Sequence, residues 1–140
     1  MDAVVSLVTH CEGVDWTTLK ATLADDDFDN GRTPTQLEQS FRASARVVFA
    51  RHGEAIVGTA RALSDGICNA YVVDMWTHSK LRRHGIGRRM LERLVAPLQG
   101  QHVYLFTDDQ SEFYKACGFV PRGVGLERVV GNWLRNASRT

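Results

Sequence analysis

The sequence predicts an α/β (α+β) fold: a central mixed, mostly antiparallel sheet with helices on both faces. Three observations predict it. Residues 45–77 hold three runs rich in β-branched and aromatic side chains, separated by short turn signals, which is the pattern of a meander. Residues 71–106 read as strand, loop, helix and strand, which resembles a parallel crossover. Ahead of both, residues 15–44 carry two segments whose apolar residues recur four apart, one helical face each. A length of 140 residues predicts one domain, 1–140, able to bury a core without disulfide or metal staples.

Each element has its own signal. Asp2 to Thr9 reads as a first strand. Asp15 is placed to cap a helix over Trp16 to Ala24, with Leu19 and Leu23 on one face. Thr33-Pro34-Thr35-Gln36 is a second helix start: Thr33 as N-cap, Pro34 at the first helical position, Gln36 completing a capping box. Leu37 and Phe41 then share a face. Arg46 to Arg51 is a strand closed by the His52-Gly53 turn, and Ala55 to Leu63 is the next. Asp65-Gly66 is a hairpin turn leading into Cys68 to Thr77. After Gly85-Ile86-Gly87 the stripe Ile86, Met90, Leu91, Leu94, Val95, Leu98 predicts an amphipathic helix, with Pro97 in its last turn and Gly100 closing it. His102 to Phe106 reads as a strand and Gln110 to Cys117 as a short helix. Strands are expected again from Phe119-Val120 and over Leu126 to Val130.

Composition narrows the function classes. Hydrophobic residues make up 44% and charged residues 24%, ordinary for a soluble protein. No apolar run approaches the ~18–20 residues of a membrane span, and the N-terminus lacks a basic leader, so no membrane partner and no signal peptide are expected. Cys11, Cys68 and Cys117 are odd in number and lack CxxC spacing, which points to no metal site and to a reducing, cytoplasmic setting. The net charge is +1, yet no acid lies between Asp74 and Glu92, a gap that holds Lys80, Arg82, Arg83, Arg88 and Arg89. The acids cluster instead at Asp25, Asp26, Asp27 and Asp29. One concentrated basic patch on a near-neutral chain suits a local anionic ligand rather than a nucleic acid, since aromatics are not interleaved with the basic residues.

The junction at the patch carries the chemistry. A strand ends at Thr77, and a helix begins near two glycines one residue apart. The first turn of a helix leaves amide N–H groups unpaired at its positive end, and glycines allow a ligand close to the backbone. Together they make a phosphate cradle, to which Arg82, Arg83 and Arg88 add charge-assisted hydrogen bonds. A dinucleotide fingerprint needs a glycine where Met90 stands, and a P-loop needs Gly-Lys-Ser/Thr, which is absent. Without further context a tight turn beside a solvated basic face explains the loop equally well.

The run Arg82-Arg83-His84-Gly85-Ile86-Gly87 resembles the Arg/Gln-x-x-Gly-x-Gly/Ala loop of the GNAT superfamily of N-acetyltransferases. Downstream, Phe113-Tyr114-Lys115-Ala116-Cys117-Gly118-Phe119 resembles the family's Tyr four residues before Gly-Phe. The resemblance spans about residues 45–120; the first 44 residues match only in outline. It implies a GNAT-like domain that moves an acetyl group from acetyl-CoA, as co-substrate, to a primary amine by direct attack in a ternary complex. The family strand opens before the loop and bonds the pantetheine arm, a stretch matched by Met75, Trp76 and Thr77. The loop residues Arg82, Arg83, His84, Gly85, Ile86, Gly87 and Arg88 match the pyrophosphate grip. A main-chain N–H of that strand, polarising the thioester oxygen, is typically worth ~3 kcal/mol. Tyr114 matches the general acid that protonates the leaving thiolate; its alternative is a tyrosine packed beside Phe113.

Asp74 interrupts the apolar strand Tyr71-Val72-Val73-Asp74-Met75-Trp76. Two readings are open: a catalytic carboxylate that holds the acceptor ammonium or relays its proton, or a structural carboxylate bonded to backbone or to an arginine. His78 is a lesser base candidate, more at home as a loop-start surface residue. Trp76, Tyr71 and Phe28 line either an acceptor pocket or the core. The acidic run at 25–29 either attracts a cationic amine or is a solvated loop. A small-molecule amine is the expected acceptor; a protein N-terminus or lysine, or acyl-CoA binding without turnover, are the alternatives. A homodimer fits the general preference for C₂ pairing.

Overall fold

A computed structural model describes residues 4–135. The chain divides into two compact units, Met1–Leu105 and Phe106–Thr140. The first unit contains a five-stranded sheet in the order β1-β2-β3-β4-β5, with β1 at Ser6–Val8, β2 at Arg46–His52, β3 at Ala55–Ser64, β4 at Asn69–Thr77 and β5 at His102–Tyr104. The first four strands pair antiparallel in sequence order; β5 joins β4 in parallel. The helices of this unit are α1 at Trp16–Asp25, α2 at Pro34–Arg42 and α3 at Ile86–Val95. The expected mixed, mostly antiparallel sheet with a parallel crossover is present.

Strand alternation explains why helices cover both faces. Phe49 points into a cluster with Trp16, Leu19, Leu23, Leu37, Phe41 and Trp76, which ties α1 and α2 to one face. Phe41 and Phe49 stack with ring centroids 5.3 Å apart. The next residue, Ala50, points the other way. On that face a Cβ at Gly58 would meet the Met90 Sδ at 2.9 Å and the Ala50 Cβ at 3.1 Å, so the absent side chain lets α3 approach closely. Ile86, Met90, Leu91 and Leu94 of α3 are all buried there. Burying each such side chain is worth roughly 1.5–3 kcal/mol, which is why the apolar stripe decides the helix's position.

Local signals set most boundaries. The Asp15 carboxylate accepts from the Thr18 N–H at 3.0 Å and starts α1. The capping box of α2 is complete: Thr33 Oγ1 accepts from the Gln36 N–H at 3.1 Å, and Gln36 Oε1 accepts from the Thr33 N–H at 2.9 Å. Four boundaries differ from expectation. The first strand is confined to Ser6–Val8, and positions 2–3 of the expected strand lie outside the described residues. Helix α3 ends at Val95, ahead of Pro97, whose preceding residue resists helical continuation. Strand β5 stops at Tyr104, short of Phe106. In the second unit, α4 spans Ser111–Ala116. The strands expected from Phe119-Val120 and over 126–130 do not form among the described residues. Their side chains find no covered face: Val120, Leu126 and Val130 are 75%, 90% and 79% exposed, and Pro121 removes a ladder donor.

Candidate active site

Strand β4 is the foundation. It follows β5 only over Asn69–Tyr71, and it carries an extra residue against β3, where Arg61 faces Val73 and Thr59 faces Trp76. The extra residue bends the strand at Asp74, whose φ of +55° lies in the left-handed region that aspartate tolerates better than most side chains. The Thr59 hydroxyl pins the bend by donating to the Asp74 carbonyl at 2.8 Å. Beyond it, the His78 N–H returns to the Val57 carbonyl at 2.8 Å. Alternation along the strand then turns the N–H groups of Met75 and Thr77 away from β3, toward the side β5 has left. The Thr77 carbonyl on that side accepts from Arg82 Nε at 3.2 Å.

The loop after β4 is short and internally braced. His78 Nδ1 accepts from the Lys80 N–H at 3.2 Å, closing a single 3₁₀ turn over Ser79–Leu81. Arg83 has φ +68° and Gly85 has φ +79°. At Gly85 the positive φ matters, because it is the N-cap of α3 and supplies no capping side chain. The Gly85 carbonyl accepts from the Arg89 N–H at 3.1 Å, the first bond of the helix. The amides of Ile86, Gly87 and Arg88 therefore have no intrahelical partner, and a Cβ at Gly85 would meet nothing within 4 Å. The Ile86 side chain is buried and anchors the turn, while Arg82, Arg83, His84 and Arg88 are exposed around it. Arg88 Nε donates to Glu92 Oε1 at 3.2 Å one turn along α3. The arrangement is an anion cradle: three amides, a positive helix end, and guanidinium groups at the rim.

Asp74 turns its side chain to two arginines. Arg32 donates to both carboxylate oxygens, at 2.9 and 3.0 Å, and Arg61 Nε donates to one of them. The Asp74 and Arg32 side chains are buried, at 8% and 7% exposure, and that of Arg61 is mostly covered at 13%. Burial alone would raise the carboxyl's pKa, but the hydrogen bonds and charges of Arg32 and Arg61 outweigh it and hold the group below its ordinary range. A carboxylate so neutralised is a poor base at neutral pH and presents no net negative charge to an ammonium. Of the two readings open in the sequence, this geometry is that of the structural one, a carboxylate bonded to arginines at the β4 bend. Arg32 and Arg61, which carry no motif, were invisible to local reading.

Other expectations resolve individually. The Trp76 side chain is 2% exposed and belongs to the core cluster, and the partly buried Phe28 packs against that cluster. Within the acidic run, Asp25, Asp27 and Asp29 are exposed, but the Asp26 side chain is only 9% exposed. A cavity of about 570 Å³ opens at the far end of α3, between Cys11, Arg42, Arg46, Arg93 and Pro97; none of the expected site residues lines it. Among the described residues no group of three His, Cys, Asp or Glu side chains is placed to hold a metal.

Tyr114 lies in α4 of the second unit. Its ring meets Phe113 at 5.0 Å and Phe119 at 5.9 Å between centroids. The Phe119 N–H bonds the Tyr114 carbonyl and the Gly118 N–H bonds the Lys115 carbonyl, both at 3.0 Å, with Gly118 at φ +94°. These two bonds are a Schellman stop, and its usual apolar contact is the Tyr114–Phe119 pair. The Tyr-x-x-x-Gly-Phe spacing is thus the signature of a helix end that fixes the tyrosine ring. Burial, with a smaller contribution from Cys117, pushes the phenol up to about 12.

Comparison with known proteins gives a consistent answer. The model of the acetyltransferase (GNAT) domain family matches residues 43–121. The chain is 37% identical over 68 residues to GCN5-related N-acetyltransferase 3, chloroplastic, from Arabidopsis thaliana, covering 46% of this chain and 29% of that protein. It is 37% identical over 67 residues to serotonin N-acetyltransferase 2, chloroplastic, from Oryza sativa subsp. japonica, covering 45% of this chain and 34% of that protein. These matches span about a third of the curated relatives' length. Among solved structures, a protein from Deinococcus radiodurans R1 classed as an acetyltransferase superposes with a TM-score of 0.77 at 27% identity, over 89% of this chain and 87% of that one.

Proposed function

The chain belongs to the GNAT family of acetyltransferases, and from that premise we propose that it moves an acetyl group from acetyl-CoA to the primary amine of a small molecule, by direct attack in a ternary complex. The observation that carries the reading is the uncapped start of α3 beside the splayed end of β4. The amides of Ile86, Gly87 and Arg88 would hold the diphosphate, with Arg82, Arg83 and Arg88 adding charge. Met75 and Thr77 would offer main-chain groups to the pantetheine arm, and an N–H of this stretch would stabilise the negative charge on the thioester oxygen as the amine attacks. Trp76 contributes backbone only, because its side chain is core.

Tyr114 keeps the leaving-group role implied by the resemblance, with its chemistry refined. A phenol raised to about 12 is protonated at every physiological pH and so always has a hydrogen to donate. A thiol ionises near ~8.5, so full transfer from such a phenol is uphill. In the role the resemblance implies, such a phenol acts as a hydrogen-bond donor to a departing thiolate rather than as a full acid. The acceptor must lose its own proton before attack, and with Asp74 consumed by arginines that proton leaves to solvent or another base.

The proposal takes residues 1–140 as one acetyltransferase domain working in a reducing, cytoplasmic compartment; the unpaired Cys11, Cys68 and Cys117 support the latter. The serotonin N-acetyltransferase name of the rice relative supports an amine acceptor. The test is direct. Coenzyme A and acetyl-CoA raise the melting temperature, and a panel of small amines releases free thiol from acetyl-CoA in the presence of the protein. No thermal shift with either at millimolar concentration removes the reading.

A further inference from the structure

Asp26 caps the end of α1, where its own N–H returns to the carbonyls of Thr22 and Leu23 at 3.1 and 3.2 Å. Its side chain reaches 50 and more positions along the sequence. Oδ2 accepts from Trp76 Nε1 at 3.0 Å and from the Ser79 N–H at 2.9 Å, and Oδ1 accepts from the Ser79 hydroxyl. Arg82 Nη2 stands 3.9 Å from Oδ2 while its Nε holds the Thr77 carbonyl. One nearly buried carboxylate thus grips the last turn of β4, the first residue of the loop and the rim of the anion cradle.

We propose that Asp26 is a positioning residue for acyl-CoA, fixing the end of β4 and Arg82 in the arrangement that receives the thioester and diphosphate. The inference rests on the acetyl-CoA reading above. Its neighbours Asp25 and Asp27 are exposed, so the acidity of the run is not what is used; one member is turned inward. The contact is costly to build, because an anion so close to a diphosphate cradle opposes the ligand unless a cation faces it. Arg82 does so at 3.9 Å, and although burial opposes ionisation, the bonds from Ser79 and Trp76 outweigh it and hold the carboxyl ionised, below its ordinary range. A core role alone would need only the indole bond. The two further bonds from Ser79, at the start of the 3₁₀ turn in the loop, are placed to fix the chain that follows.

The test measures coenzyme A binding by calorimetry, which reads the folded fraction through stoichiometry and its affinity through Kd. Asp26→Asn keeps the shape but removes the charge behind the three hydrogen bonds from Trp76 and Ser79. Ser79→Ala is the milder second variant, leaving α1 and the indole bond intact. Hydrogen bonds to a charged group are worth enough that each variant should raise Kd about tenfold, at full stoichiometry. The pair combined should do little worse than Asp26→Asn alone, since both break one contact. Asp29→Asn, at the surface pair with Lys20, should leave Kd unchanged. An unchanged Kd in folded Asp26→Asn or Ser79→Ala overturns the inference. So does a fall in melting temperature or stoichiometry with Kd untouched, the mark of a role in stability only. If the unaltered protein binds no coenzyme A, the function reading and this inference fall together; if it binds and the variants bind alike, only the inference falls.

Discussion

The starts of α2 and α3 solve one problem in opposite ways. Every helix begins with amides that lack partners. At α2 the chain supplies its own: Thr33 and Gln36 exchange side-chain bonds, and Pro34 has no N–H to satisfy. At α3 a left-handed glycine stands at the cap, no side chain closes it, and the amides of Ile86, Gly87 and Arg88 have no intrahelical partner. The same contrast separates the two ends of the β4 bend. Asp74 is closed off by two arginines, whereas Met75 and Thr77 present backbone to the side β5 has left. Closed regions carry stability and open ones carry binding, so substitutions in the two should move different measurements.

The largest effect is expected at the closed end of β4. Asp74→Asn leaves Arg32 and Arg61 buried without their anion, and breaking a buried pair this way costs about 3–5 kcal/mol of stability. Chemical denaturation should show the loss. The same contact predicts a pH dependence. Because the folded carboxyl is held below its ordinary 3.8, its contribution is complete above that value and drains away as pH falls through the lower, folded one. Melting temperature should therefore decline on acidification below about pH 4, and Asp74→Asn should flatten part of that slope. A variant with wild-type stability would show that the closed region is not what holds the bend.

At the open end, an Arg82→Glu/Gly85→Asp double variant should weaken coenzyme A by about a hundredfold or more, close to 3 kcal/mol, and abolish the thermal shift. It puts carboxylates where the diphosphate would lie. The apo melting temperature should fall by less than the binding loss, because Arg82 is 57% exposed and Gly85 has open space around it, leaving mainly the backbone strain of a non-glycine residue at φ +79°. Equal losses in both measurements would erase the distinction between the regions.

How far the sequence reached follows from the same contrast. The α2 start was legible because its capping box lies within four residues, and the α3 start because the absence of a capping side chain after Gly85 is equally local. The strand expected at 126–130 had the right residue types but no neighbouring ladder, and ladders are not written in a segment. Asp74 stood out as a charge in an apolar strand, yet its partner Arg32 is 42 positions away in a loop without a motif. Asp26 was indistinguishable from Asp25 and Asp27 until the fold turned it toward Ser79. Tyr114 was noticed through its spacing from Gly118-Phe119, but the reason for that spacing, a Schellman helix stop, came only with the backbone bonds.

The next smaller effect concerns that tyrosine. Tyr114→Phe keeps the ring contacts with Phe113 and Phe119, so binding and stability should hold. Turnover should drop about tenfold to a hundredfold, at the low end of general acid effects, because a phenol near 12 donates a hydrogen bond without completing the transfer. The unaltered protein should show no alkaline limb assignable to this group below pH 11. An unchanged kcat would leave Tyr114 as a packing residue of the helix stop.

The smallest effect is the one that most sharpens the comparison. Thr33→Ala removes the hydroxyl that accepts from the Gln36 N–H and leaves that amide to solvent. Loss of such a cap costs about 1 kcal/mol, which for a chain of this length lowers the melting temperature by roughly 2–4 °C. Coenzyme A affinity should not change, since no part of the α3 start touches this box. Gln36→Ala should cost less, because it releases only the Thr33 N–H. The two single losses should not add, as the box is a reciprocal unit. Were Thr33→Ala to weaken coenzyme A, the closed start would be feeding the open one, and stability and binding would not be divided between regions as the geometry divides them.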